Sequence, residues 1–297
     1  MSRPEHQAPP EIFYNDLEAR KYTTSSRIQS IQTEMTERCL ELLNLPIDEQ
    51  EGGAEQVSSL LLDIGCGSGL SGEIISEFGH HWVGVDISGS MLEVAVEREV
   101  EGDLCLHDIG QGFGFRPGSF DGAISVSVIQ WLCNADKTSN SPPKRLKAFF
   151  ESLFSSLVRG ARAVFQFYPE SDNQVCFIMS YANRAGFTGG LVVDYPNSQK
   201  AKKFYLVLMT GPSTQDNQLP KALDSKVDQA GGGARTMVKF STRRSKRSSC
   251  HGKKLNGKGF ESKQDWILKK KELYRKRGKE EVPLDSKFTG RKRRPKF

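Results

Sequence analysis

The sequence predicts an α/β protein with a mostly parallel sheet, followed by a basic C-terminal region. From Ser58 to Met209, short apolar stretches alternate with helical segments, a pattern typical of βαβ units in a sheet covered by helices on both faces. The charge changes where this pattern ends. Residues 1–210 contain 17 Lys+Arg and 27 Asp+Glu, whereas residues 211–297 contain 25 and 9. We therefore expect one folded domain with a basic appendage.

The individual elements follow in order along the chain. Apolar residues at helical spacing predict a helix over Arg27–Leu45, which Pro46 would end. The acidic, glycine-containing stretch Asp48–Gln56 is predicted to be a linker. Seven strands are then expected, at Leu60–Ile64, Trp82–Val85, Leu104–His107, Asp121–Val128, Ala161–Phe167, Gly190–Val193 and Phe204–Met209. Helices are expected between them, at about Leu70–Phe78, Ser90–Val100, Pro143–Val158 and Asn173–Ala185.

Composition and spacing exclude several classes of protein. No apolar run approaches the roughly 20 residues of a membrane-spanning helix. Met1–Tyr14 lacks the basic and then apolar segments of a secretory signal, so we expect an intracellular protein. The six cysteines include no C-x-x-C pair, and neither a disulfide framework nor a metal site is predicted.

The region beyond Met209 is rich in Gly, Ser, Lys and Arg, which predicts disorder because little apolar surface can be buried. A weak apolar stripe over Glu261–Arg277 predicts one basic helix within it. The positive charge predicts salt-sensitive attraction to phosphate without base specificity. Nuclear import is a competing use, because Arg243–Arg247 and Arg291–Arg294 are basic clusters.

The stretch "LLLDIGCGSGLSG", Leu60–Gly72, combines a predicted strand with four glycines. Ligands of open α/β sheets bind at this kind of junction between a strand and the next helix, and glycine lets the backbone approach a ligand closely. Gly67-x-Gly69-x-x-Gly72 also satisfies the dinucleotide pattern, which alone is weak evidence. A pyrophosphate site and a turn needed only for packing are the alternatives.

Three acidic residues favour another ligand. Asp63 precedes the first glycine, where its charge would repel a pyrophosphate and attract an ammonium or sulfonium group. Asp86 ends the second predicted strand, in position to accept hydrogen bonds from ribose hydroxyls. Asp108 ends the third, within reach of an adenine amino group. Together these groups describe S-adenosyl-L-methionine.

The same residues resemble the class I S-adenosylmethionine-dependent methyltransferases, whose first motif is an acidic residue followed by G-x-G-x-G, here Asp63 to Gly69. The resemblance covers about Ile28 to Met209 and implies a Rossmann-like, mostly parallel seven-stranded sheet. It implies that the cofactor is bound by Asp63, Gly65, Cys66, Gly67, Gly69, Asp86, Ile87, Asp108, Ile109, Tyr14 and Tyr22.

The end of the fourth strand, Ile124–Asp136, would face the methyl acceptor. It lacks both the Asn/Asp-Pro-Pro-aromatic sequence expected for amine methylation and the Pro-Cys expected for pyrimidine carbon 5. The segments "PPEIFYND", "IQWLCNAD" and "QFYPES", with the final "RKRRPKF", instead resemble the eukaryotic 18S rRNA (guanine-N7)-methyltransferases. This resemblance spans nearly the whole chain and implies methylation of guanine N7 in small-subunit ribosomal RNA.

Gln130, Trp131 and Asn134 are predicted to be the catalytic residues, as walls near the acceptor. Trp131 would stack on the guanine, and a buried aromatic residue at a strand end is an equal alternative. Gln130 would bind the methionine part of the cofactor or an edge of the guanine. Asn134 and Asp136 are alternatively caps of the next turn.

The resemblance also implies a lid and a partner. The lid would carry Tyr14 and Tyr22 over the cofactor, and an arm that only packs on the domain is the alternative. The partner would be a small zinc-binding activator protein. The predicted strand Leu104–His107 would lie at a sheet edge, where a strand of the activator could add to it.

We therefore divide the chain into an N-terminal cofactor lid (residues 1–27), a methyltransferase domain (28–210) and a basic RNA-binding and nuclear-targeting region (211–297). The resemblance implies action on the pre-ribosome in the nucleus and nucleolus, with the cytoplasm as a further location. Two alternatives stay open. One is a methyltransferase for another RNA or a protein, and the other is a ribosome-assembly factor whose binding, rather than catalysis, is required.

Overall fold

The computed structural model describes residues 3–50, 53–135, 140–198, 201–211 and 222–223, together with Leu268, Lys271 and Arg275. The chain divides into two units, Met1–Phe240 and Ser241–Phe297, and the sheet belongs to the first. In the second unit the three described residues are helical and lie within the predicted basic helix. The predicted disorder of the C-terminal region, and Asp136, lie outside the described residues.

The helices and strands follow the predicted alternation. The helices are α1 (Pro10–Phe13), α2 (Asp16–Thr24), α3 (Ser26–Leu43), α4 (Leu70–Glu77), α5 (Gly89–Glu97), α6 (Pro142–Ser156) and α7 (Asp172–Ala185). The strands are β1 (Ile47–Gln50), β2 (Gly53–Gln56), β3 (Leu60–Ile64), β4 (His81–Asp86), β5 (Asp103–Leu106), β6 (Phe120–Val126), β7 (Leu157–Phe167), β8 (Thr188–Asp194) and β9 (Lys203–Met209).

The main sheet has seven strands in the order β5-β4-β3-β6-β7-β9-β8. Strands β3 to β7 pair in parallel, and β9 runs antiparallel to both of its neighbours. The predicted mostly parallel sheet is therefore confirmed, with β5 at one edge as expected. The parallel strands all end on one side of the sheet, which we call the carboxyl edge. Strand β8 also ends there. It is antiparallel to β9, which is antiparallel to β7, so β8 runs in the same direction as β7.

Helices cover both faces of this sheet, as predicted. On one face, Phe149 of α6 and Ile178 of α7 join a large apolar cluster that includes Phe165 of β7. On the other face, Met35 of α3 and Ile75 of α4 join a second cluster. The two clusters form the core on which the loops at the carboxyl edge rest.

The stretch Asp48–Gln56 differs from the prediction. It is not a simple linker, because β1 and β2 pair antiparallel over four residues each. Its acidic composition and glycines suggested a linker, but backbone hydrogen bonds can form a two-stranded ribbon with little apolar alternation. Helix α3 also ends earlier than predicted, because Asn44 adopts a left-handed backbone with φ +49°.

Trp82 in β4 is enclosed by three glycines. A Cβ atom would lie 2.0 Å from the indole on Gly72, 2.2 Å on Gly102 and 2.7 Å on Gly84. The indole is 3% exposed, and its Nε1 donates to Ser76 Oγ at 3.1 Å. Gly72, the third glycine of the dinucleotide-like pattern, therefore allows α4 to pack closely on the sheet.

Candidate functional site at the carboxyl edge

A cleft opens at the carboxyl edge between the ends of β3, β4 and β6 and the N-terminal helices. Its volume is about 860 Å³ with its open mouth included. The strand order reverses here, since β4 lies on one side of β3 and β6 on the other. Open α/β sheets bind ligands at such a switch point.

The loop Gly65–Gly69 joins β3 to α4 and lines the cleft. Gly65 and Gly67 have φ angles of +74° and +55°, a left-handed backbone that favours glycine. A Cβ atom on Gly65 would lie 2.2 Å from Val128 Cγ2, and one on Gly67 would lie 2.8 Å from Met91 Cε. A side chain at either position would therefore strain the loop and fill space next to the ligand.

Asp86 ends β4 and lines the cleft. Its Oδ2 accepts a hydrogen bond from Gly67 N at 2.9 Å, and its Oδ1 accepts one from Ser88 N at 2.8 Å. Burial raises the pKa of this carboxyl group, and the two hydrogen bonds oppose that shift. Because each carboxylate oxygen has two lone pairs, Asp86 is fixed in place and can still accept from ligand hydroxyls.

Asp108 follows β5 and is held by an arginine from α6. Its Oδ1 accepts from Arg145 Nη2 at 2.6 Å and from Gly110 N at 2.9 Å, and its Oδ2 accepts from Gln111 Nε2 at 3.3 Å. The Arg145 side chain is 10% exposed, and a Cβ atom on Gly110 would lie 2.1 Å from its Nε. The guanidinium therefore packs directly on the backbone of Gly110 and fixes the position of one carboxylate oxygen of Asp108.

Arg145 is not among the site residues predicted from the sequence. It lies 37 residues from Asp108, on a helix whose apolar pattern predicts only packing. Its position among the residues lining the cleft depends on α6 crossing the sheet beside the end of β5. The available signal in the sequence was an arginine within the apolar stripe of a helix. Charged residues are rarely buried unless they are paired, so an arginine at such a position suggests a buried partner.

Asp63 is fully buried at the start of the glycine loop. Its Oδ2 accepts from Ser71 Oγ at 2.5 Å, while its Oδ1 has no hydrogen-bond partner among the described residues. Burial raises the pKa of Asp63 to about 7. Ser71 reaches the lining of the cleft in front of Asp63, so Asp63 would influence a ligand through its charge rather than by contact.

The other predicted cofactor residues also lie around the loop. Cys66, Ile87 and Ile109 line the cleft. Burial raises the pKa of the Cys66 thiol, so this thiol is uncharged at neutral pH. Gly69 precedes α4 with a φ of +80° and shapes the turn into the helix.

Tyr14 and Tyr22 cover the cleft from the N-terminal arm. Both line it, and their ring centroids lie 5.9 Å apart in an edge-to-face contact. Burial raises the pKa of Tyr14 to about 12 and raises the pKa of Tyr22 as well. Both side chains are therefore neutral and present apolar rings to the cleft.

Polar contacts fix this arm to the domain. Thr23 Oγ1 donates to Ser68 Oγ at 2.7 Å in the glycine loop. Ser88 Oγ donates to the main-chain oxygen of Tyr14 at 2.8 Å. Further along α2, Arg20 forms two hydrogen bonds to Glu97, which closes the arm over α5.

Trp131 extends the aromatic cluster to the turn after β6. The residue is 7% exposed, and its ring centroid lies 6.0 Å from Tyr14 and 6.1 Å from Phe13. Trp131 lines the cleft together with Tyr14. The arm and the turn, which are distant in the sequence, thus form one aromatic wall.

Gln130 and Asn134 flank Trp131 but make other contacts. Gln130 Nε2 donates to Ser127 O at 2.9 Å, and Gln130 Oε1 is buried without a partner among the described residues. Asn134 Nδ2 donates to Glu5 O at 3.0 Å and so holds the N-terminal arm. Of the three predicted acceptor residues, Trp131 is the one that lines the cleft as described here.

The described residues contain no helix long and apolar enough to cross a membrane. They also contain no cluster of three or more His, Cys, Asp or Glu side chains arranged to hold a metal ion.

Comparison with protein families gives two matches along the chain. Residues 62–153 match the family described as "Methyltransferase domain". Residues 208–295 match the family described as "Methyltransferase involved in Williams-Beuren syndrome".

Curated relatives match over the whole chain. An 18S rRNA (guanine-N(7))-methyltransferase of Mus musculus is 55% identical, with 99% of this chain and 98% of the relative covered. An 18S rRNA (guanine(1575)-N(7))-methyltransferase of Saccharomyces cerevisiae is 51% identical, with 100% of both covered. Among solved structures, a phosphoethanolamine N-methyltransferase of Haemonchus contortus with S-adenosyl-L-methionine is 16% identical, covers 71% of this chain and 61% of its own, and has a TM-score of 0.47.

Proposed function

This chain belongs to the eukaryotic 18S rRNA (guanine-N7)-methyltransferases, and we infer that the cleft at the carboxyl edge carries out their reaction. The protein transfers a methyl group from S-adenosyl-L-methionine to N7 of a guanine in small-subunit ribosomal RNA. One observation supports this use of the cleft above all. Two carboxylates, Asp86 and Asp108, are fixed at the ends of neighbouring strands beneath an aromatic cover.

The residues of the cleft fit the cofactor. Asp86 would accept hydrogen bonds from the ribose hydroxyls, and the exposed side of Asp108 would accept one from the adenine amino group. The backbone at Gly65 and Gly67 leaves room for close approach of the methionine part. Asp63 would add negative charge nearby, because a cationic ligand favours the ionised form of a neighbouring carboxyl group.

When bound, S-adenosyl-L-methionine supplies an electrophilic methyl group on a positively charged sulfur. Guanine N7 has a free electron pair and no proton to remove, so a general base is unnecessary. The task of the chain is then to position the reactants and stabilise charge.

We assign the guanine platform to Trp131. Aromatic side chains stack on unpaired bases in RNA recognition, and Trp131 lines the cleft in the segment predicted to face the acceptor. Gln130 supports the turn that carries Trp131 through its bond to Ser127 O, and Asn134 ties the same turn to the arm. We therefore propose that Gln130 and Asn134 act by positioning Trp131.

A transfer assay tests the activity and its site. The full chain, with its activator, is incubated with small-subunit ribosomal RNA and labelled cofactor. N7-methylguanine is then located by borohydride reduction and aniline cleavage. We expect one main position, the counterpart of the guanine named in the yeast relative. Methylation of another RNA or of protein, with none in ribosomal RNA, would contradict the proposal.

We propose that the zinc-binding activator adds a strand to β5. Among the described residues, β5 pairs on one side only, with β4, and the main-chain groups on its other side can accept a further strand. Leu106 at its end is 66% exposed and would be covered by the partner. Leu106→Glu is expected to abolish co-purification of the activator. Val96→Glu, at a similarly exposed position on α5, is the matched control and should leave the complex intact.

We propose a nuclear and nucleolar location. The clusters Arg243–Arg247 and Arg291–Arg294 favour entry into the nucleus and nucleolus, and their removal should leave a fluorescent fusion of the protein in the cytoplasm.

The basic charge of the C-terminal region also favours a role in ribosome assembly that depends on binding. If that role is the essential one, an Asp86→Ala protein will lack methylation and still support growth.

A further inference from the structure

Ser127 adopts a left-handed backbone directly after β6. Its φ angle is +63°, a conformation that residues other than glycine seldom adopt. Among the described residues, Ser127 is the only one other than glycine that both has a positive φ and lines the cleft. Strained backbone of this kind persists only where the surrounding structure fixes it, and it clusters at active sites.

The surrounding structure engages the main chain and the side chain of Ser127. Its N–H donates to Gln166 O at 2.9 Å, and its hydroxyl donates to Gln166 Oε1 at 2.7 Å. Its carbonyl oxygen accepts from Gln130 Nε2 at 2.9 Å. Ser127 is therefore tied to β7 through Gln166 and to the turn after β6 through Gln130.

Gln166 is an unusual residue for its position in β7, where it pairs with Val126 of β6. It is fully buried, and its Nε2 has no hydrogen-bond partner among the described residues. A buried donor without a partner costs stability, so an apolar side chain would pack here at lower cost. Stability therefore does not account for Gln166, whereas its bond to the hydroxyl of Ser127 does.

The residue after Ser127 reaches the glycine loop. The three atoms nearest to a Cβ atom on Gly65 all belong to Val128, at 2.2, 2.9 and 3.1 Å, so Val128 packs directly on the loop. Three residues further on, Trp131 N donates to Val128 O at 3.0 Å. The backbone direction at Ser127 therefore sets both where Val128 meets the glycine loop and where Trp131 enters the lining of the cleft.

We propose that Ser127, locked by Gln166, is a positioning residue for methyl transfer. It holds the turn that carries Trp131 at a fixed place against the glycine loop, and so keeps the methyl acceptor in line with the cofactor. This inference rests on the proposed function of the cleft and on the role given there to Trp131. A misplacement of about 1 Å can slow catalysis about 100-fold, so the effect is expected in kcat.

The test removes the hydroxyl in the full chain with its activator. Ser127→Ala should lower kcat for small-subunit ribosomal RNA about 10-fold. The KM for RNA and the calorimetric affinity for S-adenosyl-L-methionine should stay within about 2-fold of the wild type. Ser125→Ala is the matched control, because the Ser125 hydroxyl, also in β6, donates to Ile64 O at 2.8 Å. This control should lose stability and keep the wild-type kcat.

A double variant tests the pair. Gln166→Met keeps the length of the side chain and takes away the acceptor of the Ser127 hydroxyl, so it should lower kcat about as much as Ser127→Ala does. If the two residues act as one unit, Ser127→Ala/Gln166→Met will lose no more kcat than either single variant. Independent residues would instead lose the product of the two single effects.

Several results would overturn the inference. Wild-type kcat in Ser127→Ala is one, and a multiplicative loss in the double variant is another. Equal losses of kcat and cofactor affinity would identify Ser127 as a ligand of the cofactor rather than a positioning residue. If Ser127→Ala fails to fold, Ser127→Gly, which adopts a positive φ without strain, is measured with the same expectations.

Methyl transfer by the wild type is measured in parallel. Its absence would contradict the proposed function and this inference together. Transfer by the wild type with an unchanged kcat in Ser127→Ala would contradict the role of Ser127 alone.

Discussion

The two halves of the cleft are built in different ways. In the half proposed to bind the cofactor, the glycine loop and the ends of neighbouring strands form the site, as in the bonds from Gly67 N and Ser88 N to Asp86. In the half proposed to bind the acceptor, Trp131 meets Phe13 and Tyr14 from the N-terminal arm. Sequence motifs at strand ends thus specify most of the first half, whereas the second depends on how the arm packs on the domain. Substitutions should separate the two halves.

The largest effect is expected for Asp86→Ala. Two main-chain donors lose their acceptor, and the ligand loses the carboxylate that would bind ribose, so cofactor affinity should fall 100-fold or more. Calorimetry measures this loss, and RNA binding in the same protein should be retained. Glu93→Gln, at an exposed carboxylate on α5, is the control and should bind as the wild type does. Wild-type cofactor affinity in Asp86→Ala would place the cofactor elsewhere.

Trp131→Ala should affect the acceptor half selectively. Loss of base stacking costs about 1–3 kcal/mol, so kcat/KM for RNA is expected to fall roughly 10- to 100-fold while cofactor affinity changes little. Trp131→Phe should recover much of the activity, because it keeps an aromatic face. Equal losses of RNA turnover and cofactor binding would instead identify Trp131 as a packing residue shared by both halves.

Arg145→Met tests the arginine that holds Asp108 and lies outside the methyltransferase motif of Asp63 to Gly69. Without the guanidinium, Asp108 should orient less well, and cofactor binding should weaken about 10-fold with kcat at saturating cofactor preserved. Arg145→Lys should restore part of the affinity. The sharper readout compares S-adenosylhomocysteine with its inosine analogue, which lacks the amino group: the wild type should prefer the former, and Arg145→Met should lose this preference. An unchanged preference would contradict the role of Arg145.

The smallest effect on binding is expected for Asp63→Asn, which chiefly changes the pH dependence of stability. The folded-state pKa is raised to about 7 by burial, above the unfolded value of about 4. The stability associated with this group is therefore present below about pH 4 and is lost as the pH rises to about 7. Asp63→Asn should be more stable than the wild type at pH 8 and similar at pH 4. Urea unfolding at both pH values measures this difference. The same stability difference between Asp63→Asn and the wild type at pH 4 and at pH 8 would contradict the prediction.

The sequence predicted best what depends on local structure. Asp86 and Asp108 were placed at the cleft because strand ends and glycine turns have short-range signatures. Arg145 was not found, since its function arises from the crossing of α6 and the end of β5. The linker prediction for Asp48–Gln56 was wrong for a related reason, because pairing of β1 with β2 uses main-chain groups that any residue type provides.

Trp82 and its three glycines have a genetic consequence. Gly72 and Gly102 have backbone angles that alanine also adopts, and the three atoms nearest to an added methyl group at each are atoms of the indole, whereas at Gly84 Cys66 Sγ is equally close. Trp82→Leu would leave a cavity bordered by Gly72 and Gly102 and should be temperature-sensitive. Selection for second-site suppressors is then expected to recover Gly→Ala at one of these two positions, an allele that is harmful beside tryptophan and beneficial beside leucine. The three positions should therefore be inherited as one epistatic unit, in which no member can change first without loss of fitness.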